Sequence, residues 1–193
     1  MSKFAFLIPG WGESATSKSY KQIAKYFRQK GIKPIPIEIK WKRTTLSDNI
    51  EQFLKQFRNY KAERTYVLGF SLGAMIAFIS SQQTKPQVQI LCSLSPYFKE
   101  DLPYLKEWWR IGVGKRRLND MKKHSFDKIS REIKSETILL FGSKEVKQVY
   151  RRNRLAFEKL HCKKKLIVIQ DAKHNIRQKE YLTALKNIIE KIN

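Results

Sequence analysis

The 193-residue sequence predicts an α/β protein, a three-layer sandwich in which helices cover both faces of a mostly parallel, six-stranded sheet. Short apolar runs alternate with longer segments of helical period, and no internal repeat or low-complexity linker interrupts them. Most of the short runs are apolar throughout rather than alternating, as strands buried on both faces are.

In chain order, the first predicted strand is 4–8 (FAFLI), which a Pro-Gly-Trp-Gly turn ends. A helix over 17–29 follows, with apolar residues three and four apart, and then a strand over 35–39. The same spacing predicts a helix over 46–60. The apolar run at 66–69 (YVLG) is the third strand, and 72–82 (LGAMIAFISSQ) the helix after it. Strands over 88–94, 137–141 and 166–169 complete the sheet, with helices over 146–160 and 176–192. Residues 96–135 break the rhythm, being too long for one crossover helix and carrying Pro96, Pro103, Gly112, Gly114 and an aromatic cluster. They read equally as a small lid inserted into a single domain spanning 1–193 or as one helix with untidy flanks.

Composition bounds the rest. An apolar fraction of 41% supports one sizeable core. No segment reaches the roughly 18–20 apolar residues that span a bilayer, and the apolar run near the start is too short for a secretory signal, so the expectation is a cytoplasmic protein. Cys92 and Cys162 lack metal or disulfide spacing and read as free thiols. The net charge of +23 attracts anions, whether nucleic acid, acidic headgroups or an anionic substrate. Residues 106–165 hold 19 basic and 7 acidic side chains, yet basic residues occur in nearly every segment, which also fits a plain solvated surface. No nucleic-acid motif is present.

The stretch LGFSLGA places Ser71 between Gly69 and Gly73 where a strand gives way to a helix. A serine on such a turn is lifted above the sheet in a strained conformation, glycines at both flanks let the chain approach itself, and the helix N-terminus points free amides at developing negative charge. Gly69-x-Ser71-x-Gly73 resembles the nucleophile elbow of the α/β-hydrolase family. Serine needs a base held by an acid, and the family order is serine, acid, histidine. His174, in LIVIQDAKHN after the last strand, resembles the family's histidine loop; His124 and His161 read as solvent-exposed or capping. Gly142-Ser143-Lys144-Glu145 after TILLF resembles the loop that carries the acid, so the resemblance implies Glu145 as the orienting carboxylate, with Asp171 as the alternative. Ile8-Pro9-Gly10-Trp11-Gly12 resembles the oxyanion loop with Pro9 in place of the usual histidine, which implies the backbone amides of Trp11 and Leu72 as oxyanion donors.

The resemblance covers nearly the whole chain and implies a minimal version of the fold with strand order 2-1-3-4-5-6. It implies a serine hydrolase acting on a small-molecule carboxylic ester or thioester through an acyl-enzyme, with no cofactor and no metal. Tyr97, Phe98, Trp108 and Trp109 are candidates for an apolar acyl pocket, and Lys144 and Lys173 for favouring a substrate with an anionic portion. The alternative is a catalytically silent protein of the same fold that binds nucleic acid or an acidic partner through its basic surface.

Overall fold

The computed structural model describes residues 2–192. Six parallel strands, β1 (Lys3–Ile8), β2 (Lys33–Pro36), β3 (Arg64–Phe70), β4 (Val88–Cys92), β5 (Glu136–Gly142) and β6 (Lys164–Ile169), form one sheet in the order β2-β1-β3-β4-β5-β6. The strand order implied by the resemblance is the one observed. Helices α1 (Lys18–Gln29), α2 (Leu46–Phe57), α3 (Leu72–Thr84), α4 (Glu107–Val113), α5 (Lys115–Met121), α6 (Phe126–Glu132), α7 (Lys147–Lys159) and α8 (Lys179–Lys191) connect them, with one 3-10 turn at Leu102–Tyr104.

Alternation along the strands divides the core into two layers. Ala5, Leu7, Leu68, Ile90 and Leu140 face α1 and α8, whose Tyr20, Phe27, Tyr181 and Leu185 are fully buried. Phe6, Ile8, Val67, Leu91 and Leu139 face the other layer, built on α2 and α3. Helix α3 is buried on almost every side, which is why its sequence is apolar around its whole circumference rather than along one stripe. A reciprocal Thr45–Asp48 capping box starts α2.

Two predicted elements shift. The second strand begins at Lys33, earlier than the apolar pattern suggests, and contains Pro34 and Pro36. It is an edge strand, so only alternate residues face β1: Ile37 N–H donates to Leu7 O, while the two prolines occupy the alternate positions. The last helix begins at Lys179 rather than 176, with Ile176 fully buried in the preceding loop. Residues 96–135 fold into the 3-10 turn and α4–α6 rather than one helix. They are tied down by Asp101, which accepts from Arg152 Nε at 3.0 Å and from its Nη2; the same guanidinium stacks 4.2 Å from the Phe126 ring centroid. Among the described residues no helix is long and apolar enough to cross a membrane.

Candidate active site

At the carboxyl edge of the sheet, four loops converge, and their backbones touch in pairs. Ser71 adopts φ 56° and ψ −117°, a conformation rarely populated by non-glycine residues, and its N–H donates to Cys92 O at 2.9 Å. A Cβ at Gly69 would lie 2.3 Å from Gly73 O, and one at Gly73 would lie 2.4 Å from both Ile8 O and Pro9 O. The flanking glycines therefore close the turn on itself and let the loop after β1 pack against it. The loops after β5 and β6 meet in the same way. A Cβ at Gly142 would sit 2.1 Å from Ala172 O, Ser143 N–H donates to Ile169 O, and Lys144 N–H donates to Ala172 O.

That contact joins Glu145 to His174, and the sheet places both beside Ser71. His174 Nε2 lies 2.9 Å from Ser71 Oγ, and His174 Nδ1 lies 2.6 Å from Glu145 Oε2. A carboxylate only accepts, so Nδ1 carries the proton and Nε2 faces the serine as an acceptor. Ser71 O–H donates to it. The His174 ring rests on Phe70, 5.0 Å between centroids, and its side chain keeps 38% exposure, while that of Glu145 has none.

Residues that no motif flagged complete the arrangement. Ser93, buried at φ 50° just past β4, donates to Glu145 Oε1 at 2.5 Å, and Tyr181 Oη of α8 donates to the same oxygen at 3.0 Å. Burial alone would push the Glu145 carboxyl up. The hydrogen bond and charge of His174, with the two hydroxyls, outweigh it and hold the group below the usual carboxylate range. Burial, then the Glu145 charge, drives Tyr181 far above the ordinary phenol range, so it remains a donor. Ser95, 2% exposed, has its hydroxyl 3.1 Å from Ser71 Oγ. Because the Ser71 proton is directed at His174, the Ser95 O–H is the donor in that pair. Their only sequence signal was position, Ser93 and Ser95 just beyond a strand end on the same sheet edge.

The loop after β1 is held by Glu13, whose Oε2 accepts from Gly10 N–H and from Tyr20 Oη. Among the described residues neither the Trp11 amide nor the Leu72 amide has a protein acceptor. Trp11 and Leu72 also line a narrow crevice of about 30 Å³ with Trp109, Val113, Met121 and Arg117. Of the four candidate pocket aromatics, Trp109 lines it and Tyr97 stacks behind Trp109 at 4.2 Å. Phe98 is instead buried in the core against Phe78 and Phe126, and Trp108 turns outward. Both are corrections: Phe98 precedes the 3-10 turn and packs under the insertion, and the seven-residue α4 turns Trp108 outward while its neighbour Trp109 faces the crevice.

The alternative acid, Asp171, pairs with Lys144 at 2.8 Å in solvent and is not a partner of His174. His124 is not solvent-exposed; it is largely buried and bonds Ser47 Oγ at 3.1 Å, tying the insertion to α2. A wider cleft of about 500 Å³ opens at the opposite edge of the sheet, between Gln87 and Lys191, and contains none of these residues.

No protein-family model matches the sequence, and no curated protein does. Solved structures do match. Est1E from Butyrivibrio proteoclasticus is 11% identical, with a TM-score of 0.82 over 98% of this chain and 86% of its own. Alpha/beta hydrolase domain-containing protein 10 from mouse, also 11% identical, gives 0.82 over 98% and 89%. The chain has the α/β-hydrolase fold. The monoacylglycerol lipase of Paleococcus ferrophilus, 16% identical, aligns with this α/β-hydrolase fold at a TM-score of 0.77 over 97% of this chain and 92% of its own. At such identities the likeness concerns the fold, and the site rests on its own geometry.

Proposed function

We propose that the chain is a serine hydrolase that cleaves a carboxylic ester or thioester through an acyl-enzyme. The observation that carries this reading is the unbroken chain from Ser71 Oγ to His174 Nε2 and from His174 Nδ1 to Glu145, on a backbone strained at the serine. The name of one of the fold's neighbours, a monoacylglycerol lipase, agrees with it.

His174 Nε2 takes the Ser71 proton as Oγ bonds the carbonyl carbon, and the carbonyl oxygen becomes an oxyanion facing the Trp11 and Leu72 amides. The imidazolium, stabilised by Glu145, returns the proton to the leaving alcohol or thiol as the C–O or C–S bond breaks. Water then attacks the acyl-enzyme, giving its proton to His174, and the carboxylic acid leaves with Ser71 restored. Ser95 donates to Oγ throughout, which favours negative charge there in both steps. The crevice of about 30 Å³ has room for little more than one or two water-sized groups, so a short acyl chain is the preferred cargo. Lys144 is neutralised by Asp171, which leaves Lys173 to favour an anionic portion of the substrate.

Turnover of p-nitrophenyl esters from acetate upward by the wild type and by Ser71→Ala tests the reading. Rates that fall with chain length and vanish in the variant are expected. Ester cleavage that survives in Ser71→Ala excludes the mechanism.

A further inference from the structure

Six of the seven large hydrophobic side chains that stand exposed among the described residues lie on one side of the molecule. Trp11 follows β1, Tyr104, Trp108 and Ile111 belong to the insertion after β4, and Val146 and Tyr150 follow β5. All are beyond the carboxyl ends of strands, the edge that holds Ser71. The densest part is the eight-residue stretch 104–111, where Tyr104, Trp108 and Ile111 are 64%, 69% and 74% exposed. Trp108 and Ile111 are three residues apart on α4 and share one face. The opposite face of that helix presents Trp109 and Val113 to the crevice beside Leu72.

The surroundings of this apolar face are basic. Between α4 and α5 runs an open groove of about 640 Å³ whose walls alternate Leu105, Ile111 and Leu118 with Arg110, Lys115 and Lys122. Residues 104–123 contain seven Lys or Arg and two acids, one of which, Asp120, is buried. A monomeric surface gains nothing by holding an aliphatic and an indole in water, whereas an interface that offers both hydrocarbon and negative charge satisfies both kinds of side chain. Nucleic acid would satisfy the cations and could stack an indole, but it offers no hydrocarbon to Ile111.

From this we infer that the outer face of α4, with its basic groove, docks on an anionic phospholipid bilayer. Trp108 and Ile111 enter the headgroup boundary, Arg110, Lys115 and Lys122 meet lipid phosphates, and the crevice comes to lie one helix diameter from the surface. Docking of this kind needs no chemistry at Ser71, so it stands apart from the hydrolytic reading.

Co-sedimentation of the full chain carrying Ser71→Ala tests it, because the variant cannot act on lipid whatever the wild type does. Vesicles of phosphatidylcholine with phosphatidylglycerol are compared with phosphatidylcholine alone at low and raised salt. The mixed vesicles are expected to bind the protein, weakly at raised salt, and the neutral ones to bind it poorly. Adding Trp108→Ala and Ile111→Ser should lower partitioning about tenfold or more at unchanged net charge, while Arg110→Glu with Lys115→Glu should abolish the preference for anionic lipid. All four side chains are exposed, and an unchanged melting temperature confirms folding. Equal vesicle binding by the Trp108/Ile111 variant overturns the proposal. So does retention on RNA or DNA with no binding to anionic vesicles.

Discussion

Tyr181→Phe removes one hydroxyl from the fully buried junction at Glu145 Oε1 and leaves the ring where it is, edge-on to Phe70 at 6.0 Å. A hydrogen bond to a charged group contributes about 1.5–3 kcal/mol net. At about 2–4 °C per kcal/mol for a chain of this size, the melting temperature should fall by about 3–12 °C at neutral pH. The sign with pH follows from Glu145. Its carboxyl lies below the usual range in the folded protein, so the stability it supplies is full above the unfolded-state pKa of about 4.3 and is lost as pH falls through the folded-state value. Loss of the Tyr181 donor raises the folded-state value and shrinks that contribution. The gap between wild type and variant should therefore be widest at neutral pH and close on acidification, and the acid limb of kcat/KM should move to higher pH. Differential scanning calorimetry across a pH series, with a parallel ester assay, reads both. A gap that does not change with pH, beside an unmoved acid limb, would mean the hydroxyl contributes packing alone and would refute the network.

Ser95→Ala should slow both ester turnover and fluorophosphonate labelling of Ser71 about 3- to 30-fold, the range between a neutral and a charge-assisted hydrogen bond, with Ser95→Thr recovering part of it. Unaltered labelling kinetics in Ser95→Ala would remove Ser95 from the mechanism. Gly73→Ala drives a methyl into the carbonyls of Ile8 and Pro9 and should abolish labelling, because backbone on both sides must move; near-normal labelling would contradict the elbow geometry. Arg152→Met leaves Asp101 buried without its guanidinium and should destabilise the protein by about 3–5 kcal/mol, measured by urea unfolding. Combining it with Asp101→Asn should restore most of that loss, and no recovery would show that Arg152 acts mainly by stacking on Phe98 and Phe126.

Much of the architecture was legible because it depends on features local to the chain. Strands buried on both faces read as unbroken apolar runs, and a glycine on either side of Ser71 marks a turn that must close tightly. Geometry at β2 was less legible because prolines normally argue against a strand, and only the knowledge that it lies at an edge makes Pro34 and Pro36 acceptable. Ser71, His174 and Glu145 could be placed because the loops that carry them after their strands resemble those of the α/β-hydrolase family. Ser93, Ser95 and Tyr181 could not, since a serine or tyrosine becomes a carboxylate or hydroxyl partner only through contacts 24 to 52 residues apart or through a backbone turn no motif encodes. In the insertion, Trp108 and Trp109 are neighbours with opposite fates, and the direction of a seven-residue helix decides which one meets the crevice.

Peptide mapping by mass spectrometry of the fluorophosphonate adduct tests the catalytic reading most directly. The expected result is a single adduct on Ser71 in the wild type, which fails to form in His174→Ala because no base remains to take the Oγ proton. An adduct on another residue, or undiminished modification of Ser71 when the imidazole is gone, would contradict a relay running from hydroxyl through imidazole to the buried glutamate.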